Sequence, residues 1–183
     1  MKLVVAMTGA SGALYTQRLL DNLTEHEVHF ISTRHAKEVA ELELAGGLKV
    51  PAGVKQYEEN GSMFVPFVSG SAKFDAMVII PASMGTVGRI ANGFSDGTIA
   101  RAADVFLKER RKLILVPRES PYNLIHLRNM VTLTEAGATI IPASPGFYHK
   151  PATITDLVDT IVARVLDHLG IEHKLVKRWQ SAD

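Results

Sequence analysis

Five short apolar runs recur along the chain, at residues 3–7, 28–31, 76–80, 113–116 and 139–141. Each has the length of a strand. None shows the strict alternation of a strand with one wet face, so both faces are expected to be buried. Between them, apolar residues return at steps of three and four over about 14–23, 37–44, 86–91, 97–110, 122–136 and 154–169. Strands alternating with helices predict an α/β fold, a parallel sheet with helices on both faces, here as a single domain over 1–183. The last helix has the clearest pattern. Ile154, Leu157, Val158, Ile161, Val162, Val165, Leu166 and Leu169 make one face, Thr153 is placed to cap its start and Gly170 to stop it. Arg164 lies off that stripe. Residues 48–61 have poor periodicity and read as a connection, and 171–183 as a C-terminal tail carrying a basic run and Trp179.

Composition narrows the class. Hydrophobic residues make up 46% and charged residues 21% of 183, with a formal charge of +1. That balance argues against a surface that coats nucleic acid. The absence of cysteine excludes disulfides, thiolate nucleophiles and Cys-ligated zinc, and fits a cytoplasmic setting. The first residues lack the length and cleavage pattern of a signal peptide, and no stretch is long enough to cross a membrane. No HExxH spacing and no G-x-S-x-G turn occurs, so neither a metal site nor a serine hydrolase is expected.

In parallel sheets, ligands bind beyond the carboxyl ends of the strands. The loops that begin near Thr8, Ser32, Pro81, Pro117 and Pro142 are therefore the candidates. The first runs Thr8-Gly9-Ala10-Ser11-Gly12-Ala13, a small-residue turn into a helix, whose free N–H groups are expected to face a phosphate. The third, Pro81-Ala82-Ser83-Met84-Gly85-Thr86, reads equally as a capped connection or as a holder of phosphate or flavin. On a helix, Arg101, Asp104, Lys108 and Arg111 share one face; this is either a solvated face with an Asp104–Lys108 pair or a phosphate contact. Leu115-Val116-Pro117-Arg118-Glu119-Ser120-Pro121 puts an Arg–Glu pair at a buried strand's end, where Arg118 suits a phosphate and Glu119 proton transfer. Tyr148, in Pro145-Gly146-Phe147-Tyr148-His149, is either a phosphate donor or an aromatic covering a sheet edge.

Taken in order, TGASGA, PASMGT, RAADVFLKERR, LVPRESP, HLRNM and PGFYHKP resemble the UbiX-type flavin prenyltransferases over nearly the whole chain. The family was formerly described as decarboxylases. The resemblance implies a Rossmann-like, flavodoxin-like fold and transfer of dimethylallyl from dimethylallyl phosphate to N5 and C6 of reduced FMN, without a metal. It implies a prenylated FMN that serves UbiD-type decarboxylases, and a homo-oligomer, a dodecamer built of trimers. By motif, Gly9, Ala10, Ser11, Thr33, Ser83, Met84, Gly85, Thr86 and Arg118 should hold FMN. Tyr148, Arg164, Lys108 and Arg101 should grip the dimethylallyl phosphate, with groups from more than one subunit. Glu119, Glu43, Ser11 and Lys108 should act in the chemistry, Glu119 as the acid/base. Ala82, Gly85 and Met63-Phe64 depart from the residues that many relatives carry there.

A decarboxylase of peptidyl or pantothenoyl cysteine shares part of this pattern but needs a reactive cysteine, which is missing. A non-catalytic FMN-binding accessory subunit is the alternative of another class. Arg118-Glu119, Lys108 and Tyr148 speak against it, because storage of a flavin needs no second phosphate site.

Overall fold

Leu3, Val5 and Met7 leave the first strand on one side and Val4 and Ala6 on the other, and all five are buried. That double burial makes β1 (Lys2–Met7) the middle of a layered structure. The computed structural model describes residues 1–59 and 61–177. After β1 come α1 (Ala13–Asp21), β2 (Glu27–Ser32), α2 (Arg34–Glu43) and β3 (Lys55–Glu58). The chain continues through a 3-10 turn at Pro66–Val68 into β4 (Ala76–Ala82), α3 (Met84–Ala91), α4 (Thr98–Lys108) and β5 (Lys112–Pro117). It finishes with α5 (Leu124–Glu135), β6 (Thr139–Ile140) and α6 (Ile154–Leu169). The strands form one parallel sheet in the order β3-β2-β1-β4-β5-β6, the order of the Rossmann-type doubly wound sheet.

Each face of the sheet has its own core. Leu3, Val5, Met7, Val78, Ile80, Ile114 and Val116 pack against Leu19 and Leu20 of α1, Ala36 and Ala40 of α2 and Val162, Val165 and Leu166 of α6. Val4, Ala6, Met77, Ile79, Leu113 and Leu115 pack against Val87 and Ile90 of α3, Ile99 and Phe106 of α4 and Leu133 of α5. Bidentate pairing of Arg18 with Asp159, at 2.8 Å for both bonds, ties α1 to α6.

The α6 bounds match the expected ones, with the capping box of Thr153 and Asp156 at one end and Gly170 in the left-handed conformation at the other. Residues 48–61 are not only a connection. Lys55-Gln56-Tyr57-Glu58 pairs with β2 as an edge strand, with charges facing water and Tyr57 turned inward. The Asp104–Lys108 pair of the solvated-face reading does not form: Asp104 takes Arg101 at 3.0 Å, and Lys108 takes Glu109. Arg111 lies beyond the end of α4 and donates to the carbonyls of Gly70 and Ala72 at 2.6 and 2.7 Å, so it is not on the α4 face. Trp179 falls outside the described residues, and among those no helix is long and apolar enough to cross a membrane.

Candidate active site

Four neighbouring strands, β2, β1, β4 and β5, deliver their loops to one edge of the sheet. The chain reverses direction across the sheet between β1 and β4, which opens a crevice at their carboxyl ends. Thr8 closes the floor of that crevice. Its hydroxyl donates to Pro81 O at 2.9 Å and accepts from Ser83 N at 2.7 Å, locking the first loop to the third. Thr8 was not among the expected site residues. Its buried hydroxyl acquires a role only when two strands far apart in sequence lie side by side.

The first loop holds Gly9, Ala10 and Ser11. A Cβ at Gly9 would lie 2.8 Å from His35 Cβ, closer than two carbons can approach, so only glycine lets the start of α2 pack there. Gly12 has φ 114° and turns the chain into α1. The expectation of free amides at the start of α1 is not met. Glu43, at the end of α2, accepts from Gly12 N at 2.8 Å and Ala13 N at 2.7 Å. The anion at this helix start is therefore the protein's own. Burial raises the Glu43 carboxyl, but bonds from the Ser11 hydroxyl and from the amides of Ala13 and Gly12, with the charge of Arg118, outweigh it and hold it below the usual range.

Thr33 caps α2, accepting from Ala36 N at 3.1 Å, and Ser83 caps α3, with its Oγ 3.1 Å from Thr86 Oγ1. Met84 is buried and Gly85 opens the first turn of α3. Arg118 reaches back across the edge, its Nε donating to Ser11 O at 3.1 Å. Glu119 follows, half-buried, with Oε1 accepting from Ser120 N at 3.0 Å. The nine residues expected to hold a flavin thus come together from four loops. Small residues, hydroxyls and one guanidinium make a donor set that fits a planar, phosphorylated cofactor.

Lys108 and Arg164 of the second expected set do not join them within one chain. Arg101, on the first turns of α4, pairs with Asp104. Lys108 closes α4 at the amino edge of the sheet, against Gly70 and Glu109. Arg164 is exposed on the last third of α6 and donates to Asp167 at 3.0 Å. Tyr148 is largely exposed on the loop after β6, its ring over Gly146 and 3.9 Å from the His149 ring. Among the described residues, no group of three or more His, Cys, Asp or Glu converges as a metal site would.

Relatives match the chain over nearly its full length. The Flavoprotein family model matches residues 1–166. The flavin prenyltransferase UbiX of Methanocaldococcus jannaschii is 48% identical over 181 residues, 98% of each chain. The crystal structure of AnUbiX (PadA1), in complex with FMN and dimethylallyl pyrophosphate, is 40% identical with a TM-score of 0.91, over 100% of this chain and 98% of that one. A dodecameric FMN-dependent UbiX-like decarboxylase from Escherichia coli O157:H7 is 42% identical, also with a TM-score of 0.91, over 99% of this chain and 100% of its own. On fold and kinship, the chain belongs to the UbiX-type flavin prenyltransferases within the Flavoprotein family.

Proposed function

We propose that this chain transfers a dimethylallyl group from a phosphate ester to reduced FMN, and that the prenylated flavin passes to a UbiD-type decarboxylase in the cytoplasm. The observation that carries the reading is the full-length match to AnUbiX, whose structure holds FMN together with dimethylallyl pyrophosphate. The four-loop crevice supports it from the chain's own chemistry. Bound there, reduced FMN supplies the nucleophilic N5 and C6.

The residues then divide the work. Gly9, Ala10, Ser11, Thr33, Ser83, Met84, Gly85, Thr86 and Arg118 bind and orient the flavin. Arg101, Lys108, Tyr148 and Arg164 bind the phosphate of the donor, where cations and hydroxyls stabilise charge that grows on the departing oxygen. Lys108 also acts as an acid toward that oxygen. Glu119 moves protons between the flavin edge and the leaving phosphate. Ser11, held by the ionised Glu43, keeps its hydroxyl beside the reacting nitrogen. The wide separation of Lys108 and Arg164 from the crevice supports an assembly in which neighbouring copies complete each site, a dodecamer of trimers. Closure between copies would also exclude water from an allylic cation.

The donor is expected to be dimethylallyl phosphate. Anaerobic incubation with reduced FMN and either the phosphate or the pyrophosphate, followed by mass spectrometry of the released flavin, tests this. A flavin heavier by one prenyl unit with the phosphate is the expected result. Recovery of FMN alone with both donors, from folded protein, would overturn the assignment. Glu119→Gln should retain FMN and lower prenylation by roughly 100-fold or more, the usual contribution of a positioned acid/base.

A further inference from the structure

At the carboxyl edge of the sheet, α1, α2, α3 and α4 all begin. Two of these starts already hold a carboxylate of the chain. Glu43 occupies α1, and Glu59 Oε2 accepts from Ile99 N of α4 at 3.0 Å. The starts of α2 and α3 are capped only by their own hydroxyls, Thr33 and Ser83. Together they line a cavity of about 430 Å³ with Thr8, His35, Thr86 and Arg89. Its one acidic lining residue, Glu38, is paired with Arg34 at 3.3 Å. A phosphate entering the crevice is therefore directed here, away from the two starts that carry negative charge.

Arg89 stands between this cavity and a second of about 410 Å³, which contains Asp96 and Glu59. Its present bonds are long. Nε lies 3.4 Å from Asp96 Oδ2 and Nη1 lies 3.3 Å from Gly85 O, with the side chain 55% exposed. An exposed pair of that length contributes little, whereas a phosphate dianion offers a guanidinium two short, charged bonds. We infer that Arg89 is the cation that fixes the 5′-phosphate of FMN, and that Asp96 holds it at the boundary until the phosphate arrives. The inference rests on the FMN reading above and adds to it a residue outside the motif-matched set.

The test is equilibrium titration of the full chain with FMN and with riboflavin, which lacks the phosphate. The unaltered protein should prefer FMN. Arg89→Gln should weaken FMN roughly 10- to 100-fold and leave riboflavin within about twofold, as expected for loss of a charged hydrogen-bonding pair. Arg89→Lys should fall between, because it keeps charge without the fork. Asp96→Asn, which releases Arg89, should tighten FMN by roughly two- to threefold through loss of a competing anion. An Arg89→Gln protein that binds both flavins as the unaltered one does, or loses both equally, would overturn the assignment to Arg89 alone. Weaker FMN binding by Asp96→Asn would count against the holding role of Asp96. If the unaltered chain binds no flavin, the cofactor reading itself fails.

Discussion

Single residues at the crevice act through partners distant in sequence. Glu43 is the clearest case. Its carboxylate serves as the N-terminal cap that Gly12 has no side chain to provide. Removing it in Glu43→Ala should cost about 1 kcal/mol, the ordinary worth of a cap plus a helix-end charge. The acid dependence has a definite sign. The Glu43 carboxyl is held below its usual 4.5, so its contribution is complete above that pH and is lost as pH falls through the lower, folded value. The difference in urea midpoint between Glu43→Ala and the unaltered protein should therefore be full at pH 7 and shrink below pH 4. An unchanged difference would show that the carboxylate contributes no charge-dependent stability. Sequence periodicity marks residue 43 only as the end of a helix, and the resemblance supplied its place in the site. Arg89 and His35 carry no local signal, because their chemistry exists only where the α2 and α3 starts meet.

Elements were legible in proportion to how much of their reason is local. The fully apolar runs of β1, β4 and β5 announce buried strands, and α6 has a stripe and a cap at each end. In β3, by contrast, only Tyr57 turns toward the core, and its partners lie on another element. His29, 2% exposed on β2, bonds the Tyr57 hydroxyl at 2.9 Å and Glu27 Oε1 at 3.1 Å, among the rings of Phe67 and Phe74. Burial drives the His29 imidazole below its usual 6.5, against the opposing pull of Glu27. Below pH 6.5 the unfolded chain takes up a proton that the folded chain resists, so stability falls with pH from there toward the folded value. Glu27, held near 2 mainly by bonds from Lys55 and then His29, adds a loss of the same sign below 4.5, muted by its exposure. Urea midpoints measured from pH 7 to 5 should decline for the native sequence and flatten in His29→Phe. Parallel slopes for the two proteins would remove His29 as the cause.

At the scale of the whole molecule, one chain brings the residues proposed to hold the flavin to one crevice but leaves Lys108 and Arg164, proposed to bind the donor, toward the opposite edge of the sheet. Glu119 sits at the carboxyl edge beside Arg118, whereas Arg164 lies on the far part of α6, whose next turn accepts a bond at His168 O from Lys112 at the amino end of β5. A rigid sheet separates the two edges, and β5, fully buried from Leu113 to Pro117, leaves no room for either side chain to cross. Joint action of Glu119 and Arg164 at one substrate then requires two copies. Glu119→Gln and Arg164→Ala should each be nearly inactive alone. Unfolded and refolded together in equal amounts, they should regain activity, because random assembly puts an intact Glu119 against an intact Arg164 in about a quarter of the sites. A site built within one chain predicts no recovery at any mixing ratio, since every chain would lack one of the two groups. Activity plotted against the fraction of either variant should peak at equal amounts and vanish at both ends. A flat line would return both residues to a single subunit.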